Sequence, residues 1–238
     1  GPSGSGKSSI INAGVVAALG TSPARGEERP ASYNLSSGWQ VAVMRPGAQP
    51  FEALAQAVAA WCPGQRELAE CVEHLRAAPS TLANLLAGQE CLKPDPYVQR
   101  LLVIDQFEEL FVLCRDEAER TAFLDLLLHP IMPGSGAVLL SLRADFLHEV
   151  LVLPAPAAYA QTQVQVLGAM SRGELERAIV EPARVVGVRY EPGLVDRLLN
   201  DLGNEPGRLP LLQFALAQLW DEQEDGWLLH RAYERIHG

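Results

Sequence analysis

Gly1-Pro2-Ser3-Gly4-Ser5-Gly6-Lys7-Ser8-Ser9 opens the chain and fits G-x-x-x-x-G-K-[ST] at every fixed position. A backbone bent around a phosphate must point several N–H groups inward, and glycine permits that curvature. Gly1, Ser3, Gly4, Ser5, Gly6, Lys7, Ser8 and Ser9 are therefore the nucleotide-binding candidates. Lys7 can reach the β- and γ-phosphates, and the Ser8 hydroxyl can ligate Mg²⁺. The helix expected next adds its positive N-terminal dipole. The plainer reading is a Gly/Ser-rich linker that happens to contain a lysine; a second motif downstream decides against it. Such a loop follows a buried strand, and nothing precedes Gly1 here. The chain thus reads as a fragment whose first strand, at the centre of a parallel sheet, is missing.

That second motif is Leu101-Leu-Val-Ile-Asp105-Gln-Phe-Glu108-Glu109. Four apolar residues deliver an acid to the carboxyl end of a strand, the edge where open α/β sheets bind ligands. Asp105 can hold the Mg²⁺ that Ser8 also ligates. Glu108 or Glu109 could orient or deprotonate an attacking water, with no basis in spacing for choosing between them. The rival is a solvated acidic helix start, where carboxylates favour the dipole. Arg143 follows the next apolar run, 137–142, and could sense a γ-phosphate or simply pair with Asp145. Arg45 stands in an equivalent place with weaker support. Pro210 suits a first helical position and could equally cover a nucleobase.

Composition narrows the classes. The chain has 238 residues, 48% hydrophobic, with 29 acidic and 19 basic residues for a net charge of −10. That sign argues against general nucleic-acid binding. Cys62, Cys71, Cys91 and Cys114 lack C-x-x-C spacing, so reduced thiols are expected rather than zinc. No apolar run approaches the ~20 residues a membrane span needs. A soluble, cytoplasmic protein is the expectation.

Apolar periodicity places helices at 7–19, 51–61, 66–77, 80–86 and 118–128, and strands at 39–44, 101–104, 137–142 and 163–167. Residues 21–38 read as a mobile loop. Beyond Leu167 the pattern is helical only. Ser171-Arg-Gly-Glu174 is a capping box, and further helices follow at about 192–202 and 209–220. The fold expected is α/β: a P-loop NTPase parallel sheet flanked by helices in residues 1–168, then a small all-α lid subdomain in 169–238.

Taken in order, these motifs resemble the novel STAND class of bacterial signal-transduction ATPases, the type found beside WD-repeat propellers. Val43-Met-Arg-Pro-Gly47, Ser141-Leu-Arg-Ala-Asp-Phe146 and Leu209-Pro-Leu-Leu-Gln-Phe-Ala-Leu216 join the two motifs above in carrying the likeness over the whole chain. The resemblance implies ATP/ADP and Mg²⁺ as cofactors, with Lys7 and Ser8 on phosphate and metal. It implies Asp105 as the Walker B acid, Glu108 and Glu109 as the adjoining pair, Arg143 as the sensor arginine and Pro210 as the residue touching adenine. It also implies a slow ATP hydrolase acting as a switch, with self-association and with sensor and effector domains elsewhere in the chain. ATP would sit between core and lid. No [NT]-K-x-D motif is present, which tilts the base towards adenine. The rivals are a nucleotide-binding scaffold without hydrolysis, and a metabolic kinase or transport ATPase.

Overall fold

A computed structural model describes residues 4–19, 32–34, 38–61, 67–90, 98–131, 134–151, 164–203 and 207–237. The chain separates into two compact units. One is Lys7–Gln165; the other is Val166–Gly238 together with Gly1–Gly6.

In the first unit, helix α1 covers residues 7–19, with a π-helical stretch at Ile10–Val16 between short α-helical ends. The amide of Asn12 donates to the Ser8 carbonyl at 2.8 Å. An α-helix would give that carbonyl to the Asn12 backbone N–H, so the side chain takes over a bond that the wider π turn gives up. There follow strands β1 (Ser32–Asn34) and β2 (Trp39–Met44), helices α2 (Pro50–Val58), α3 (Leu68–Ala77) and α4 (Thr81–Leu86), and strand β3 (Gln99–Ile104). Helices α5 (Glu109–Val112) and α6 (Glu117–Leu128), strand β4 (Ala137–Leu140) and helix α7 (Leu147–Leu151) complete the unit.

Among the described residues the sheet runs β1-β2-β3-β4, antiparallel at β1/β2 and parallel elsewhere. Side chains alternate across a strand, and both faces are covered. Ala42, Met44, Leu102 and Ile104 pack with Phe51, Leu54, Leu75, Leu82, Leu86 and Phe123 from the helices on one side. Val41, Leu101 and Val103 pack with Ile11 and Val16 of α1 on the other. Burial of both faces is why β3 reads as a continuous apolar run at 101–104. Phe51 and Phe123 meet edge to face, with ring centroids 5.4 Å apart.

Two local expectations change. Residues 32–34 lie within the stretch read as a loop, yet pair with the open edge of β2. Three residues are too few to show periodicity; the ladder partner makes the strand. Conversely, residues 164–167 form no strand, and Gln163 lies outside the described residues. An extended apolar segment becomes a strand only when a neighbour satisfies its N–H and C=O groups, and none of the described strands pairs with it. Most of the remaining expected loop, 21–38, is also outside the described residues.

The second unit contains α8 (Arg172–Val185), β5 (Arg189–Tyr190), α9 (Leu194–Leu202), α10 (Leu209–Asp221), β6 (Trp227–Leu228) and α11 (His230–His237). The capping box forms as read: the Ser171 hydroxyl accepts from Glu174 N, and the Glu174 carboxylate accepts from Ser171 N at 2.8 Å. Ala183, Leu194, Leu198, Leu219, Leu228 and Tyr233 make its core. The two-residue parallel ladder of β5 and β6 joins an otherwise helical unit, and strands this short leave no pattern in a sequence. Among the described residues no helix is long and apolar enough to cross a membrane.

Candidate functional site

The carboxyl edge of the core sheet is organised around one acid. Register aligns Met44, Ile104 and Leu140 across β2, β3 and β4, so Asp105 and Ser141 are the first residues past the ends of adjacent strands. Asp105 is 4% exposed and Ser141 5%. The Asp105 N–H donates to the Met44 carbonyl at 2.9 Å, and the Ser141 N–H to the Ile104 carbonyl at 2.9 Å. The Ser141 hydroxyl donates to Asp105 Oδ1. The Gln106 N–H is shared, 3.0 Å from both Asp105 Oδ1 and Ser141 Oγ.

Burying a carboxylate is costly unless donors meet it, and here two converge on one oxygen. Oδ2 makes no hydrogen bond among the described residues. The turn that allows this is strained: Gln106 has φ +53°, a conformation costing a side-chain-bearing residue about 1–3 kcal/mol. It swings Phe107 N–H to within 2.8 Å of the Ser141 carbonyl and drives the Phe107 ring into the core.

Glu108 and Glu109 follow at the start of α5, both half-buried. One Glu108 oxygen accepts from the Arg143 N–H at 3.3 Å, so this carboxylate leans towards the β4 end of the edge. The Glu109 carboxylate makes no hydrogen bond among the described residues. The Arg143 guanidinium turns back along its own chain. Nε is 3.1 Å from Asp145 Oδ1 and Nη2 is 2.6 Å from Oδ2, while Cζ lies 5.7 Å from the Phe146 ring centre. Pairing with Asp145, the alternative open in the sequence, is therefore the arrangement present. The Asp145 carboxylate raises the Arg143 pKa further. The Arg143 hydrogen bond chiefly, with a smaller contribution from the Lys7 charge, holds Asp145 below the usual carboxylate range. Arg45 is exposed beyond β2.

The glycine loop shows why its residues are small. Gly4 and Gly6 have φ of +68° and +84°, where glycine alone is unstrained. A Cβ on Gly4 would stand 3.1 Å from Pro210 Cδ and 3.2 Å from the Gly207 carbonyl. Pro210 thus lies against the loop at the start of α10. Ser5 is 8% exposed, and its hydroxyl has no hydrogen-bond partner among the described residues. An unpaired buried hydroxyl costs about 1–3 kcal/mol, so this loop lacks an acceptor or donor that a ligand could supply. Gly4 and Ser5 also line a hollow of about 300 Å³ whose apolar walls include Leu175, Leu199, Leu202 and Leu209. Lys7 and Ser8 are half-buried at the start of α1, and Ser9 is exposed. Gly1 and Ser3 lie outside the described residues.

The profile of the family described as nSTAND1, Novel STAND NTPase 1, matches residues 1–238. The chain belongs to this family and is a STAND NTPase domain. A search of curated proteins gives no match.

Ser141 opens the motif 141–146 but was given no role from sequence. The signal was available: it is a lone hydroxyl at the end of an apolar run, as Asp105 is a lone acid at the end of another. Only the register of β3 against β4 says that the two ends meet. Replacing Ser141 with Ala removes a donor from a buried carboxylate. Ser141→Ala is expected to lower unfolding free energy by about 1–3 kcal/mol in urea titrations; a loss below about 0.5 kcal/mol would show that the bond carries no weight.

Proposed function

We propose that this domain binds ATP with Mg²⁺, hydrolyses it slowly, and uses its nucleotide state to control conformation or assembly within a larger signalling chain. The observation that carries the reading is the donor set. The loop has left-handed glycines and a buried Ser5 hydroxyl with no partner among the described residues. The core edge has a buried, oriented Asp105 with one oxygen left over.

These residues fit a magnesium-bound triphosphate. Backbone N–H groups around Gly4 and Gly6 and the Lys7 ammonium suit phosphate oxygens. The Ser8 hydroxyl and Asp105 Oδ2 are hard oxygen donors of the kind Mg²⁺ accepts. When bound, the ion neutralises charge on the phosphate oxygens. Pro210 would hold the loop from the side of Gly4. Residues 1–168 would form the nucleotide-binding core, and 169–238 a helical subdomain that responds to what is bound.

Glu108 is the better candidate for orienting and deprotonating water. Its carboxylate is already fixed at the edge by the Arg143 N–H, whereas Glu109 has no such restraint. A binding-only scaffold is the second reading, favoured by the engagement of Arg143 with Asp145.

Calorimetric titration with Mg·ATP tests the first part: Lys7→Ala is expected to weaken binding at least about thirtyfold. Unchanged affinity would count against the phosphate role of the loop. Single-turnover hydrolysis tests the second: Glu108→Gln is expected to slow the chemical step about a hundredfold or more. Equal, negligible rates in both proteins would establish the scaffold instead.

A further inference from the structure

Asp145 is a carboxylate just past the carboxyl end of β4 in the core unit, held by one arginine. Arg143 grips it through two nitrogens, 3.1 Å and 2.6 Å from its two oxygens. This is the planar, two-pronged geometry with which a guanidinium also takes a phosphate. The charge of Lys7, the lysine of the glycine loop, adds a small part to the lowering of the Asp145 pKa. The backbone N–H of Arg143 is anchored separately on Glu108, so the guanidinium can swing without moving the edge. The pair is open to solvent, with Arg143 40% and Asp145 54% exposed at the side chain. Exposed pairs of this kind hold weakly. Asp145 therefore occupies Arg143 without locking it.

The geometry points to Asp145 as a built-in competitor for the terminal phosphate: it holds Arg143 when no γ-phosphate is present and thereby sets how strongly the site prefers ATP over ADP. This rests on the nucleotide reading given above and deepens it. A γ-phosphate brought to Lys7 offsets the lysine charge that favours the ionised Asp145, and like charges repel. It also offers Arg143 a second planar acceptor set. ATP must win Arg143 from Asp145, whereas ADP has no γ-phosphate with which to compete. Asp145 thus taxes ATP selectively, and it acts through Arg143 as a positioning residue rather than as a ligand.

The test measures dissociation constants of Mg·ATP and Mg·ADP on the 238-residue chain for wild type, Asp145→Asn, Arg143→Ala and the double variant. Asp145→Asn is expected to tighten ATP about fivefold while leaving ADP within about twofold. In the Arg143→Ala background the same change should leave both nucleotides within about twofold. Asp145→Ser, read in the same way, repeats the result with a different neutral side chain. Weaker ATP binding, an equal gain for both nucleotides, or a gain that survives Arg143→Ala would each overturn the inference. Each of those outcomes would still leave nucleotide binding standing. If wild type binds neither nucleotide, the proposed function fails and this inference falls with it.

Discussion

The hydrogen bond from the Ser141 hydroxyl to Asp105 ties together the ends of two parallel strands, and much of the site depends on it. A carboxylate this deeply covered is tolerable only where donors face it. Ser141 and the Gln106 N–H both face one oxygen, and the other makes no hydrogen bond among the described residues. The strained Gln106 turn brings its N–H onto that oxygen. From the same turn come the burial of Phe107, the start of α5 and the placement of Glu108 against the Arg143 backbone. One side-chain bond between neighbouring strands thus orients the acid of an edge that also carries Glu108 and Arg143.

The sheet that carries this edge was legible in the sequence because its strands are covered on both faces. Leu101 and Val103 meet α1 while Leu102 and Ile104 meet the helices opposite. That burial demands an unbroken apolar run, and such runs stand out. What was hidden was whatever depends on pairing rather than on periodicity. Residues 32–34 are a strand because β2 offers an edge, and residues 164–167 are not one although they look the part. The β5/β6 ladder is too short to announce itself. The π-helical stretch of α1 comes with an asparagine amide bonded to the Ser8 carbonyl, which no apolar pattern records.

The candidate site divides along the same line. The residue types at positions 4–8 and 105–109 follow from chemistry that short motifs state well: glycine for a backbone that must curve inward, an acid at a strand end. The partners of those residues do not follow. Ser141 meets Asp105 through strand register, and Asp145 meets Arg143 through a short 3₁₀ turn at Ala144–Phe146. Both are local packing outcomes that a linear reading leaves as alternatives. Pro210 is a similar case. Its ring against Gly4 explains the glycine without requiring a base, so its role towards the nucleotide stays with the proposal.

The most direct measurement compares Mg²⁺-dependent and Mg²⁺-free ATP affinity in wild type and Asp105→Asn, with folding of both checked by urea titration. If the free oxygen of Asp105 is a metal ligand, Mg²⁺ should tighten ATP about tenfold in wild type and less than about twofold in the variant. The same Mg²⁺ enhancement in both proteins would contradict the account, because the buried acid at the strand end would then have no part in holding the ion.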